Sequence, residues 1–303
     1  MSSINVNRLY ALTGHRDCVY SIATGRNFNE IYSAGGDGLV VHWNLKTPDL
    51  GEVIAKLESS IYAIHFVDSM NMLVVAQNFN GLHFIDPLLR KELTSLKISD
   101  NYIFDLSSHE NKLFVAVGNG SVKVVDLTDF QIIKSLNHSD KSARCIAINK
   151  KQNELAVGYS DNFIRVFDLR SYALKQEWLA HENSIFTLQY HPDGNLLLSG
   201  SRDARLRVWN ANEEYLKMNE IVAHMYTINH IAFSPDTKHF VTCSMDKSIK
   251  VWDSQEFKLL KVIDKARHAG HGTSVNKLAW TSFNNQLVSA SDDKTLSVWD
   301  IIF

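Results

Sequence analysis

The stretch QLVSASDDKTLSVWD, residues 286–300, decides the fold of this chain. Two short runs of apolar and β-branched residues flank the polar turn Asp-Asp-Lys-Thr, a pattern typical of a β-hairpin. The stretch ends at Trp299-Asp300, and the same ending recurs upstream. The chain is therefore predicted to consist of repeats of one strand-rich unit.

The position of Trp299 recurs six more times. Its counterparts are Trp43, Ile85, Val125, Phe167, Trp209 and Trp252. Each repeat ends at the acid or amide that follows: Asn44, Asp86, Asp126, Asp168, Asn210, Asp253 and Asp300. Steps of 40–47 residues give seven repeats and leave no room for a second domain, so residues 1–303 are predicted to form a single domain.

Three other residue types keep a fixed distance from the Trp position. An Asp lies six residues before it, a Ser or Thr ten before it and a His twenty-eight before it. Four repeats contain the whole set: His15/Ser33/Asp37/Trp43, His181/Ser199/Asp203/Trp209, His224/Thr242/Asp246/Trp252 and His271/Ser289/Asp293/Trp299. Chance does not place four residue types at four offsets in four repeats.

The chain resembles the WD40 repeat family, whose repeats begin with Gly-His and end with Trp-Asp. Gly14-His15 and Gly270-His271 match the start, and Ala180-His181 and Ala223-His224 match it with Ala for Gly. The resemblance covers essentially the whole chain. It implies an all-β, seven-bladed β-propeller with four antiparallel strands per blade. It also implies that an N-terminal strand, residues 6–12, closes the last blade. We expect no helix, and we expect a longer connection at residues 264–272.

The resemblance also implies a role for the four polar sets, which we call quartets. Hydrogen bonds would link the indole, hydroxyl, imidazole and carboxylate, satisfy these groups where they are buried, and tie two loops to the sheet. A Ser-His-Asp set also suggests a hydrolase, but four copies, each with a bulky Trp beside the hydroxyl, favour a structural brace. Blades two to four lack a full quartet and are predicted to open more easily.

Composition narrows the possible functions. The net charge of −2 provides no basic field for nucleic acid. The N-terminal residues lack the apolar segment of a secretory signal, and no apolar run approaches the length of a membrane span. The three widely spaced cysteines are typical of reduced thiols. We predict a cytoplasmic protein, with the nucleus left open, that is a monomer by itself.

The heads of the inner strands carry residues suited to binding a partner. The resemblance places them at the top mouth of the central channel, which we call the rim. The strand heads at the rim are Tyr20, Tyr62, Phe104, Arg144, Phe186, Asn229 and Asn276. Tyr102, two residues before a head, and Arg202 and Met245, each just before the Asp of a turn, should line the same face. Exposed aromatic and arginine side chains often anchor interfaces. Two interpretations stay open: the aromatic residues bind a partner, or they plug the channel and stack on one another.

We predict a non-catalytic scaffold that binds protein or peptide segments at the rim. A ligand with an acidic or aromatic side chain would suit it, with Arg144 or Arg202 as the charged partner. The alternative is a small-molecule binder or enzyme at the channel mouth, which would need convergent acids, bases or metal ligands. No cofactor, catalytic residue or metal site is predicted. His268 and His271 form an H-x-x-H pattern, but His271 is already assigned to a quartet.

Overall fold

A computed structural model describes residues 4–303 and shows an all-β architecture. These residues form seven antiparallel sheets of four strands each. Blade one consists of β2 (Val19–Thr24), β3 (Glu30–Gly35), β4 (Leu39–Asn44) and β5 (Glu52–Lys56). Blade two consists of β6 (Ile61–Val67), β7 (Met72–Gln77), β8 (Gly81–Asp86) and β9 (Lys91–Lys97). The strand content and pairing are those of the predicted seven-bladed β-propeller.

The remaining blades repeat the same order. Blade three consists of β10 (Ile103–His109), β11 (Lys112–Val117), β12 (Ser121–Asp126) and β13 (Gln131–Asn137). Blade four consists of β14 (Ala143–Asn149), β15 (Glu154–Tyr159), β16 (Phe163–Asp168) and β17 (Leu174–Leu179). Blade five consists of β18 (Ile185–Tyr190), β19 (Leu196–Ser201), β20 (Arg205–Asn210) and β21 (Leu216–Val222). Blade six consists of β22 (Ile228–Phe233), β23 (His239–Ser244), β24 (Ile249–Asp253) and β25 (Leu259–Ile263).

Blade seven combines both ends of the chain. Its strands are β26 (Val275–Trp280), β27 (Leu287–Ser291), β28 (Thr295–Ile302) and β1 (Asn5–Thr13). β1 pairs antiparallel with β28 and fills the outer position of the sheet. Val6 and Leu12 on β1 are buried. The predicted closure by the N-terminal strand is therefore confirmed.

Burial explains the composition of the strands. All six residues of β7 and the last five of β11 are buried, because these strands are covered on both faces. Valine and alanine fill them because β-branched and small side chains pack well on a pleated surface. The outer strands differ, since most residues of β9 and β13 are exposed or half-buried. Each sheet thus grades from an apolar inside to a polar outside.

The expectation that the chain contains no helix was wrong. Lys265–His268 forms a single α-helical turn in the long connection before blade seven, and Asp68–Met70 forms a 3-10 turn. Asp264 caps the helical turn by accepting a hydrogen bond from the backbone N–H of Arg267. One turn of helix has no apolar periodicity, so the sequence offered only its capping aspartate as a signal.

The chain contacts divide the structure into two compact units. The first holds residues up to 77, 83–94 and 229–303, and the second holds 78–82 and 95–228. The first unit contains blades one, six and seven and most of blade two, and the second contains blades three to five. Each unit has its own apolar core, centred for example on Trp43 in the first and on Trp209 in the second.

Candidate functional site

The quartets form continuous chains of hydrogen bonds. The indole Nε1 of Trp299 donates to Oγ of Ser289 at 2.9 Å, and that oxygen lies 2.9 Å from Nε2 of His271. His271 Nδ1 lies 2.8 Å from a carboxylate oxygen of Asp293. Since the hydroxyl accepts from the indole, its own proton points to Nε2, and the imidazole then donates from Nδ1. The imidazole is thus held at both of its ring nitrogens.

The same chain occurs in two other blades. His15 and Ser33 are joined at 2.8 Å in blade one, and His181 and Ser199 are joined at 2.8 Å in blade five. In the fourth set, Trp252 donates to Thr242 at 2.9 Å. The serine and threonine hydroxyls of all four sets belong to fully buried residues. A buried hydroxyl that is already bonded to an indole cannot attack a substrate, so the geometry is that of a brace.

The carboxylate of the blade one quartet ties the loop as predicted. Asp37 lies 3.0 Å from Nδ1 of His15 and accepts from the backbone N–H of Arg16 at 2.8 Å. Its other oxygen accepts from the backbone N–H of Leu39 at 3.1 Å. The Asp37 side chain is only 6% exposed, although the residue lies in the turn between β3 and β4. The carboxylate end of this quartet is therefore buried, as the interpretation of the quartets requires.

The carboxylate of the blade six quartet is bonded within its own turn, as Asp293 of blade seven is. Asp246 accepts from the hydroxyl of Ser248 at 2.6 Å and from its backbone N–H at 3.0 Å, so these bonds lie within its own turn. Asp246 is half-buried, whereas His224 and Thr242 of the same set are buried. Its assignment as the partner of the His224 imidazole stays a prediction.

The blade five quartet shows the electrostatics of this brace. Burial lowers the pKa of His181, although Asp203 acts in the opposite direction. Burial also opposes ionisation of Asp203, but hydrogen bonds from His181 and from two backbone N–H groups prevail and lower its pKa to about 2. The pair is therefore a neutral imidazole beside an ionised carboxylate at neutral pH. Neither group is poised to transfer a proton near pH 7.

Two of the blades that lack a quartet contain other polar ties. In blade four, Asp161 accepts from Ser139 Oγ at 2.7 Å and from Arg165 Nη1 at 2.8 Å. The ring of His138 lies 5.0 Å from that of Phe167, the residue at the Trp position. Neither Ser139 nor Arg165 was predicted, because neither matches the repeat pattern.

Blade two has a shorter chain built on an amide. His83 Nε2 lies 2.8 Å from Oε1 of Gln77, whose Nε2 donates to Ser59 Oγ at 3.1 Å. In blade three, Asn119 accepts from the backbone N–H and hydroxyl of Ser121, two residues away. The tie in blade three is therefore local to its own turn.

The structure brings four of the predicted rim residues together in the second unit. The guanidinium carbon of Arg144 lies 4.2 Å from the ring centre of Phe104 and 4.1 Å from that of Phe186. Tyr102 stacks on Phe104 with 5.7 Å between ring centres. Phe79 lies against Tyr102 at 4.5 Å. These five residues form one continuous stack, which we call the rim stack.

Phe79 is the member of the rim stack that sequence reasoning missed. It occupies the position of the quartet aspartate, so the sequence showed only that blade two lacks this carboxylate. Its backbone has a φ of 63°, in the left-handed region that disfavours a bulky side chain. Half of the Phe79 side chain is exposed, and Tyr102 is 40% exposed. An exposed aromatic pair is an unusual surface for a turn.

The rim residues of the first unit are arranged differently. The rings of Tyr20 and Tyr62 meet edge to face at 4.9 Å, and both residues are half-buried. Asn229 donates to the backbone oxygen of Val275, and Asn276 donates to that of Val19. These amides are therefore part of the scaffold. Burial is the main cause that raises the pKa of the Tyr20 phenol, which stays protonated at neutral pH.

Arg202 and Met245 are exposed residues in the turns between second and third strands. Met225 and Tyr226, which were not predicted, are also exposed, on the loop that enters blade six. In the described range 4–303, no group of three or more His, Cys, Asp or Glu is placed to hold a metal ion. No helix of that range has the length and apolar character needed to cross a membrane.

Comparison with known proteins places this geometry in context. A family model described as WD domain, G-beta repeat matches residues 6–44, 130–168, 173–210, 217–253 and 262–300. The chain is 23% identical over 66% of its length to mouse periodic tryptophan protein 2 homolog. It is 24% identical over 70% of its length to the Dictyostelium discoideum striatin homolog, and 25% identical over 66% to Drosophila melanogaster protein groucho. The matched parts span 24%, 30% and 28% of these relatives, so the chain resembles only a part of each of them.

Proposed function

The chain belongs to the WD40 repeat family, and on that premise we propose that it is a non-catalytic scaffold that binds a protein or peptide segment at its rim. The observation that carries the proposal is the rim stack. Aromatic and arginine side chains are the residues that most often dominate binding energy at interfaces. Here they are pre-positioned by mutual stacking, which lowers the entropy lost when a partner binds.

Exposure favours an interface over a plug at this part of the rim. A side chain that only fills a channel is covered by its neighbours, whereas Phe79 and Tyr102 keep about half of their surface in solvent. The partner would cover these two rings. Tyr20 and Tyr62 contact each other and are half-buried, so they would support the rim more than they bind.

The channel-mouth enzyme has less support. Acid–base catalysis needs convergent titratable groups with pKa values near neutrality. The rim amides Asn229 and Asn276 are engaged with backbone oxygens. The carboxylate of Asp203 and the imidazole of His181 are bonded to each other in a quartet. The location in cytoplasm or nucleus stays a prediction that rests on the three cysteines.

Substitution of the rim stack tests the proposal. A triple variant, Phe79→Ala, Tyr102→Ala and Arg144→Gln, removes exposed or half-exposed groups and should keep the fold, as measured by circular dichroism and thermal unfolding. Quantitative affinity capture from native lysate should lose the partners retained by the wild-type chain. Leu88→Ala with Leu89→Ala is the matched control, because both leucines are more than 70% exposed on blade two, in the turn before β9. An unchanged set of partners in the triple variant would refute the proposal.

A further inference from the structure

A groove lies at the outer edge of blade six. It is lined by four consecutive residues of β25 and two of the helical turn that follows: Leu259, Leu260, Lys261, Val262, Arg267 and His268. Its volume is about 520 Å³, within the range of sites that hold a small ligand or part of a larger one. None of these residues belongs to the rim stack, so the groove is a separate feature of the surface.

Two permanent cations line the groove. The ammonium of Lys261 makes one hydrogen bond within residues 4–303, at 2.9 Å to the backbone oxygen of Ile4. A carbonyl oxygen leaves the charge of an ammonium uncompensated, and the other donors of this one stay unused in that range. Arg267 donates from Nε and Nη2 to Asp264, and its side chain is 62% exposed. Because Arg267 and Asp264 compensate each other, the charge of Lys261 leaves the lining positive.

The electrostatics of His268 show that these charges converge. Burial is the largest cause that lowers the pKa of its imidazole, and Lys261 lowers it further. Asp264 acts in the opposite direction, and Arg267 lowers the pKa again. A charge shifts the pKa of a neighbouring group in this way only at short range. The His268 ring therefore marks a point on which two cationic groups act together.

Apolar groups share the groove with these cations. Leu259 is 41% exposed, and Leu260 and Val262 are half-buried. β25 is also the last strand of its sheet, and no strand of the described range pairs with its other edge. Extended segments of other proteins bind along such edges. The surface therefore suits a ligand that combines negative charge with apolar bulk in an extended chain.

A protein segment fits this combination better than other polyanions. Nucleic acid is held mainly by contacts of several Lys and Arg with successive phosphates, and anionic membrane surfaces are bound by clusters of about four to eight such residues. The lining offers only Lys261 and Arg267, and the whole chain has a net charge of −2. A peptide carries a carboxylate and an apolar side chain on neighbouring residues, so it uses both parts of the lining.

We propose that this groove is a second docking site, which binds an extended protein segment with an Asp or Glu beside a bulky aliphatic or aromatic residue. The carboxylate pairs with Lys261, with Arg267 beside it, and the apolar side chain packs on the leucines and the valine of β25. The inference goes beyond the proposed scaffold function at the rim, because it assigns a binding role to a surface that shares no residue with the rim stack.

Selection from a phage-displayed library of random peptides tests this. Peptides selected on the immobilised full chain are sorted by whether they still bind the triple rim variant. Those that do should be enriched several-fold in Asp or Glu next to an aliphatic or aromatic residue. They should bind at least about tenfold more weakly to a double groove variant, Lys261→Gln with Arg267→Gln, because charge-assisted hydrogen bonds are lost. Arg90→Gln with Lys91→Gln is the matched control and should bind them as the wild type does. It removes the same charges and also breaks the ion pair of an exposed arginine, here with Glu52.

Two further measurements separate lost binding from lost fold. Lys261→Arg keeps the positive charge and should keep the affinity for the selected peptides. In the wild-type chain, a bound synthetic peptide should slow amide hydrogen exchange in residues 259–268, and this measurement needs no substitution.

The outcomes that would overturn the inference are distinct from a failure at the rim. Peptides without acidic enrichment, or acidic peptides that bind the double groove variant as tightly as the wild type, would overturn it. If every selected peptide is lost in the triple rim variant, the groove binds none of them, so the inference fails and the scaffold function stands. Duplex DNA or phosphatidylserine vesicles that bind through Lys261 and Arg267, where no peptide does, would assign the groove to a different partner and overturn the inference as well.

Discussion

The indole of Trp299 and the hydroxyl of Ser289 are joined by a 2.9 Å hydrogen bond between two fully buried side chains. The same hydroxyl bonds His271, so a single oxygen holds both the third strand of the blade and the loop that enters it. Blades one and five repeat the arrangement at Ser33 and Ser199. One small side chain is thus the shared partner of two larger ones.

Replacement of Ser289 should lower the stability of the fold, because Trp299 and His271 both depend on its hydroxyl. Ser289→Ala leaves the buried indole N–H and the imidazole of His271 without their partner, and each unsatisfied group costs about 1–3 kcal/mol. We expect the free energy of unfolding to fall by about 2–4 kcal/mol in urea titrations, allowing for partial relaxation. Ser297 is the matched control, since it lies opposite Ser289 on β28, is equally buried, and has a hydroxyl without a hydrogen-bond partner in residues 4–303. Ser297→Ala should be neutral or stabilising, and equal losses in both variants would refute the brace.

A second buried cluster predicts another loss of stability. The hydroxyl of Tyr215 donates to the buried carboxylate of Glu154, and Tyr190 OH lies 2.7 Å from Tyr215 OH. Lys175 also bonds Glu154. Tyr215→Phe deprives the carboxylate of a donor inside the second unit. We expect a loss of about 1–3 kcal/mol in the free energy of unfolding.

Tyr159 is the control for that substitution. Its hydroxyl is buried and has no hydrogen-bond partner in the described chain, so Tyr159→Phe should leave stability unchanged or raise it. The two substitutions remove the same atom from tyrosines of the same unit. A loss at Tyr159 as large as that at Tyr215 would mean that the hydrogen bonds to Glu154 contribute little.

The half-buried His65 of β6 predicts how stability depends on pH. Burial is the main cause that lowers the pKa of His65 to about 4, and Lys277 adds to the shift. Below the ordinary value of 6.5 the unfolded chain takes up a proton that the folded chain rejects. The free energy of unfolding should therefore fall as pH decreases from 6.5 to about 4, by about 1.4 kcal/mol per pH unit for this group. His65→Gln should reduce the slope by that amount in denaturant titrations at pH 7, 6 and 5, whereas an unchanged slope would contradict the assignment.

The sequence predicted the blades well because their signal is repeated. The Trp position, its acid and the offsets of Ser and His recur at intervals that only a repeat explains. A wrong interpretation of one copy is corrected by the others. The helical turn Lys265–His268 was missed because it occurs only once. The unusual length of its connection was visible in the sequence, but no other repeat has an equivalent segment from which its conformation could be inferred.

The candidate site was harder to predict for the same reason. Tyr102, Phe104, Arg144 and Phe186 were chosen from their offset, but that offset does not reveal that the guanidinium contacts the rings of both phenylalanines. Phe79 departs from the repeat, and so do Gln77 and Arg165, which replace quartet contacts with bonds of their own. Residues that depart from a repeat give one protein its specific contacts. A single sequence shows which positions depart from the repeat, but it does not show which residues their side chains contact.

The rate of amide hydrogen exchange should differ among the blades. Blades two to four lack a full quartet and should exchange their amides faster than blades five to seven, as their composition predicts. Polar ties through Gln77 and Asp161 should slow blades two and four in part. Blade three, whose tie at Asn119 is local to its turn, should exchange fastest. Mass spectrometry of peptides from β11, β15 and β19 compares equivalent strands, and slower exchange in β11 than in β19 would refute the order.

Removal of β1 should destabilise the last blade and expose a sheet edge. β1 supplies the outer strand beside β28, and Val6 and Leu12 are buried there. Fully buried aliphatic side chains contribute about 1.5–3 kcal/mol each, and the bared β28 offers unpaired N–H and C=O groups to other chains. A chain that lacks residues 1–13 should melt at a lower temperature and self-associate in light scattering. Addition of a synthetic peptide of residues 4–14 should reverse both effects, because it restores the pairing. Leu9→Ala and Tyr10→Ala change exposed residues of the same strand and should do neither. A truncated chain that stays monomeric with an unchanged melting temperature would show that β1 does not close the blade.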